Sequence, residues 1–178
     1  LWRLSVLSSF TKRMAAAVLD NSELYDAFEM LISKSVFFVF HEPGHTYRLR
    51  NILRDYIYER ALIDRVDFTE VYRKSGQWLL ADGQYSKAFE CLYRAGELEE
   101  ILSILNQDTQ NDKGIWSSGN IRQVFEKAGK ELCYRYPFAY LKYLLACAMD
   151  RKRNYIPRVK LCLDRLEEYC RGSECRDE

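Results

Sequence analysis

The sequence is poor in the residues that break a chain into turns, with 8 glycines and 3 prolines in 178 residues. A β-sandwich or a loop-rich scaffold needs many more, so the balance leans towards helix. There are only 2 histidines, His41 and His45, and both flank one short turn. A catalytic base or a metal centre needs partners spread around a cleft. No catalytic residue and no metal site are therefore expected. Charge of one sign is not in excess, since 27 basic residues stand against 26 acidic ones. A dedicated nucleic-acid domain usually shows a clear basic surplus. No apolar run approaches the roughly 18–20 residues of a membrane span. No Gly-x-x-x-x-Gly-Lys-Ser/Thr loop is present, so nothing here cradles ATP phosphates on its own. No secretory signature is present, and the chain starts at Leu1 inside an amphipathic pattern without a Met. That start reads as a piece of something longer.

What is present is an ordinary globular composition, 48% hydrophobic and 30% charged. Of the six cysteines, Cys91, Cys133, Cys147 and Cys162 fall within apolar helical patterns. Cys170 and Cys175 lie close together but have no His near them. Buried free thiols in a reducing cytoplasm are the expectation, without zinc.

Helical stripes open the chain. Trp2, Leu4, Val6, Leu7 and Phe10 mark the first, which predicts a helix over 2–10. Thr11 can cap a second helix carrying Met14, Ala15, Val18 and Leu19. Asn21 or Ser22 can cap a third carrying Leu24, Phe28, Leu31 and Ile32. The period then changes. Val36 to Phe40 is β-branched and aromatic, Glu42-Pro43-Gly44 is a turn signal, and Tyr47 and Leu49 alternate with Thr46 and Arg48. This predicts a β-hairpin near 36–49. A helix with Ile52, Leu53, Tyr56, Ile57 and Leu62 on its inner side follows. Residues 1–62 thus have the content of a small winged-helix domain.

From residue 63 to 178 the pattern is helical, with a polar loop expected near 106–120. Gly83-Gln84-Tyr85-Ser86-Lys87-Ala88 combines a helix-ending Gly, an aromatic entering the next helix, and an Ala that permits close approach. Tyr72, Gly76, Tyr85, Ala88 and Ala95 match a tetratricopeptide register. Gly96-Glu97-Leu98 begins a similar shorter unit. Asn154-Tyr155 echoes the turn, with Arg158 where Ala is expected. The predicted fold class is mostly α, a winged helix followed by antiparallel tetratricopeptide-like repeats.

The order of these parts resembles that of a known family. Leu4-Ser5-Val6-Leu7-Ser8-Ser9-Phe10-Thr11 comes first, then the Phe37-Phe38-Val39-Phe40 hairpin and Tyr47-Arg48-Leu49-Arg50-Asn51-Ile52-Leu53-Arg54-Asp55-Tyr56. Trp78, the Gly83–Ala88 turn and Ala95-Gly96-Glu97-Leu98 follow. This resembles the middle of the large ATP-dependent LuxR-family transcriptional regulators of the MalT type, which are signal-transduction ATPases with numerous domains. The resemblance covers nearly all of residues 1–170 and is strongest over 1–105.

It implies a regulatory and sensor fragment of a cytoplasmic bacterial regulator, a switch rather than an enzyme in itself. The fragment would hold no cofactor of its own. ATP or ADP would act through the regulator's own nucleotide-binding domain. DNA would be bound only through a C-terminal domain, and no membrane is involved. The family commonly places a His at the start of the helix behind the hairpin, where related ATPases contact the ADP phosphate. Arg50 and Asn51 stand there in this sequence, and Arg can meet a phosphate through its fork. The repeats would offer a surface to an inducer or a regulatory protein, with Tyr72, Trp78, Tyr85 and Tyr93 as candidate contacts. The alternative is a stand-alone helical-repeat adaptor that binds a peptide. Direct DNA binding by Arg48, Arg50 and Arg54 on the winged helix is the third reading, disfavoured by the neutral charge.

Overall fold

The computed structural model describes residues 1–34, 36–108, 116 and 121–149, together with 157, 159–161, 163, 164 and 167. The described residues are mostly α-helical, with one two-stranded antiparallel sheet. They divide into two compact units, 1–96 and 97–178.

In the first unit, α1 (Trp2–Ser5) is a single turn, α2 spans Lys12–Leu19 and α3 spans Ser22–Ser33. Both longer helices begin on side-chain caps. Thr11 Oγ1 accepts from Met14 N at 3.2 Å, and Asn21 Oδ1 accepts from Leu24 N at 3.1 Å. The helix expected over 2–10 ends at Ser5. A turn at Val6 and a bend at Ser8 follow, and Phe10 joins the sheet instead. Phe10 N donates to Tyr47 O at 2.9 Å, and Tyr47 N donates to Phe10 O at 2.7 Å. Two long-range backbone bonds thus replace continued helix.

The hairpin forms where expected. β1 (Phe38–His41) pairs with β2 (Thr46–Leu49) in the register Phe38 to Leu49 and Phe40 to Tyr47. A 3-10 turn at Glu42–Gly44 connects them, closed by His45 at φ 45. Phe38 and Leu49 face inward and are buried, whereas Phe40 is exposed. The rings of Phe10, Phe28 and Phe38 meet edge-on or tilted, with centroids 5.6–6.2 Å apart.

Helix α4 (Asn51–Ile63) departs from expectation in its facing. Ile52, Tyr56 and Leu62 are exposed, Ile52 to 90%. The inner side is made by half-buried Leu53, Ile57 and Tyr58 with buried Ala61. Apolar residues lie on both sides of this helix, so its periodicity does not name the buried one.

Helices α5 (Thr69–Ala81) and α6 (Tyr85–Ala95) form a tight hairpin. Gly83 (φ +74) makes the turn and Gly96 (φ +83) ends α6, both in the left-handed region open to glycine. A methyl placed on Gly76 would meet Leu92 at 2.7 Å, which measures how closely the two helices approach. Val71, Leu79 and Ala88 belong to the same core as Leu4, Phe10, Met14 and Val18. Packing divides after Gly96, because α5 closes over the early helices.

The second unit holds α7 (Leu98–Gln107), α8 (Ile121–Tyr134) and α9 (Pro137–Met149), each packed on the other two. α8 is kinked at Gly129 (φ 73). Ile101, Leu102, Leu105, Val124, Phe125, Tyr140 and Leu144 form its buried interior. Asn106 Oδ1 caps α9 from α7, accepting from Phe138 N at 3.0 Å and Ala139 N at 3.2 Å. Of the loop expected near 106–120, residues 106 and 107 end α7, while 109–115 and 117–120 lie outside the described residues. So do Asn154-Tyr155, Arg158, Cys162, Cys170 and Cys175.

The first unit has a predictable acid response. Hydrogen bonds from Lys74 to Asp20, from Lys12 and Tyr25 to Glu29, from Thr69 to Asp67 and from Arg73 to Glu70 hold these carboxyls below their ordinary range. A carboxyl with a depressed folded value contributes stability above its unfolded value and loses it as pH falls through the folded one. The melting temperature is expected to fall between about pH 5 and about pH 3. Thermal scans across that range check it, and a flat profile contradicts the pairing.

Candidate functional site

Residues from six elements and the turn between α5 and α6 surround a cleft of about 450 Å³ in the first unit. Ser5 and the irregular 6–11 segment line part of it. Helix α4 contributes Arg54, Asp55 and Tyr58. Helix α5 contributes Tyr72, Trp78 and Leu79, and α6 contributes Lys87, Glu90, Cys91 and Arg94. Gln84 and Thr46 complete it. The size is that of a small-molecule pocket.

The charges are ordered by local pairing. Arg54 donates to Asp55 through Nε at 3.0 Å and Nη2 at 2.8 Å. Arg94 donates to Glu90 at 2.7 Å and to the Tyr72 hydroxyl at 3.2 Å, and its guanidinium lies 5.5 Å from the Tyr72 ring centroid. Lys87 Nζ donates to Gln84 Oε1 at 2.8 Å. Burial pushes the Tyr72 hydroxyl above its ordinary value, against the pull of Arg94. Burial also pushes the Cys91 thiol up to about 11, so it stays protonated and serves as wall, not nucleophile.

The candidate residues separate. Tyr72 and Trp78 line the cleft together. Tyr72 is buried against Phe68 and Ala61, so it is an anchor of the core rather than a surface aromatic. Tyr85 and Tyr93 are half-buried on α6 and do not line the cleft. Arg50 and Asn51 are exposed at the start of α4. Arg50 Nε donates to Val36 O at 2.8 Å, which fixes the side chain against the hairpin. No side chain caps α4, so its first amides have no side-chain acceptor.

His41 and His45 sit at the two ends of the hairpin turn. Among the described residues no group of three His, Cys, Asp or Glu is placed to hold a metal ion. No helix among them is long and apolar enough to cross a membrane. Arg54, Lys87, Glu90 and Arg94 carry no motif that marks them as neighbours. Only their helical spacing, with 87, 90, 91 and 94 on one face of α6, hints that part of the set acts together.

Comparison with family models, with curated proteins and with solved structures found no match to this chain.

Proposed function

We propose that the chain is the regulatory and sensor portion of a bacterial MalT-like LuxR-family regulator, acting in the cytoplasm. It couples nucleotide state, and the binding of an inducer or partner, to activation of transcription. One observation carries this reading. A single cleft is lined by residues of α4, the helix behind the hairpin, and by residues of α5 and α6. An occupant would touch the wing helix and the first helical hairpin at once. A ligand shifts an equilibrium only through its different affinity for the two states. A seat shared by two element groups is where that difference arises, because a change in their spacing changes the contacts.

The proposal keeps the remaining parts in their family roles. Arg50 and Asn51 at the open start of α4 would face a phosphate of ADP held by the regulator's own nucleotide-binding domain. α5 and α6 would be the first tetratricopeptide-like repeat of a longer sensor arm. DNA would be read by a separate C-terminal domain, and the fragment itself would catalyse nothing. The reading frame around the chain tests this. A Gly-x-x-x-x-Gly-Lys-Ser/Thr loop encoded upstream and a helix-turn-helix encoded downstream support it. A frame that encodes these residues alone contradicts it and leaves the adaptor reading.

A further inference from the structure

We infer that the ligand of the cleft carries an oxyanion, a carboxylate or a phosphate ester, on a flat apolar body. This rests on the cleft being the regulatory seat. Donors and acceptors around it are unequal. The two carboxylates are already engaged, Asp55 by Arg54 at 2.8 Å and Glu90 by Arg94 at 2.7 Å. Lys87 is different. Its ammonium donates to the uncharged Gln84 and, among the described residues, forms no ion pair. An ammonium has three donors, so two are open to solvent or to a ligand. Ser8 and Ser9 also line the cleft, and among the described residues their hydroxyls form no hydrogen bond. The site thus has one more cation than anion, and two hydroxyls that can donate to a ligand. A group that only accepts and carries negative charge matches both. A cationic ligand would meet Arg54, Lys87 and Arg94 together.

The rest of the lining sets the ligand's body. Trp78, Tyr58 and Tyr72 contribute aromatic lining, and Leu79 and the protonated Cys91 add apolar wall. Such walls take a planar hydrocarbon or aromatic group.

Three probes with one ring system test this on the intact chain: 2-naphthoate, 2-naphthyl phosphate and the neutral 2-naphthamide. Binding is read from the indole N–H resonance of Trp78, identified by its loss in Trp78→Phe. The expected result is that an anion shifts this resonance and binds about tenfold tighter than the amide. Lys87→Gln, a change at an exposed position, is expected to remove that preference. Tighter binding of the naphthoate assigns the seat to carboxylates, and tighter binding of the naphthyl phosphate assigns it to phosphate esters. Equal binding of the amide overturns the anion preference and leaves the cleft as a ligand seat. A preference that survives in Lys87→Gln overturns the role given to Lys87. If none of the three moves the Trp78 resonance, the inference and the reading of the cleft fall together.

Discussion

Phe10→Ala is expected to lower the stability of the first unit by about 3–5 kcal/mol, the range for truncating a fully buried aromatic. Phe10 is 1% exposed and touches Phe28 and Phe38, at centroid distances of 5.9 and 6.2 Å. Its backbone also forms both bonds of the bridge to Tyr47. Those bonds survive the substitution, but the ring that holds the 6–11 segment against the hairpin does not. The loss therefore reaches the hairpin as well as the core. Urea titration read from amide resonances of residues 38–49 checks this. A local readout is needed because the chain divides into two compact units, and one global free energy does not describe both. Phe40→Ala is the control. Phe40 is 47% exposed beside the hairpin turn, beyond the core that covers Phe10 and Phe38, and its loss is expected to cost under about 1 kcal/mol. Equal effects of the two would contradict the burial assigned to Phe10.

Gly76→Ala is the second large effect, and its sign runs against helix propensity. Ala is favoured over Gly inside a helix by about 1 kcal/mol. The added methyl, however, would sit 2.7 Å from Leu92 Cγ and Cδ2 and 3.3 Å from the Ala88 carbonyl. Leu92 is 0% exposed and has no free space to enter. Overpacking of this kind costs about 1–3 kcal/mol, so a net loss of about 1–2 kcal/mol is expected. Leu92→Ala alone is expected to cost about 2–5 kcal/mol through the cavity it leaves. Combining the two should be better than additive, with Gly76→Ala neutral or favourable once Leu92 is gone. A double-mutant cycle in urea measures the coupling. Simple additivity would show that Gly76 does not set the approach of α5 and α6.

These two sites also show what the sequence makes legible. Gly76, Gly83, Ala88 and Gly96 announce themselves, because small residues and left-handed turns admit few substitutes. The hairpin is legible for a similar reason, since a β-branched aromatic run followed by Glu42-Pro43-Gly44 has one local solution. The extent of α1 is not legible. Trp2, Leu4, Val6, Leu7 and Phe10 suit a helix, and only pairing with Tyr47, far along the chain, draws residues 6–10 out of it. The buried face of α4 is ambiguous too, with Ile52 and Tyr56 as apolar as Leu53 and Ile57. Of the cleft, Tyr72 and Trp78 could be named from sequence as aromatics in a helical repeat. Arg54, Lys87 and Arg94 could not. They come from two helices whose convergence depends on α5 packing over α2, which no local pattern encodes.

In the proposed switch, one cleft is shared by α4 and the α5–α6 hairpin. Amide hydrogen exchange of the intact chain, with and without 2-naphthoate, tests that most directly. Slower exchange is expected together in residues 51–63 and 85–95, because both contribute lining to the proposed seat. Protection confined to one of the two helices, or absent from both, would contradict it.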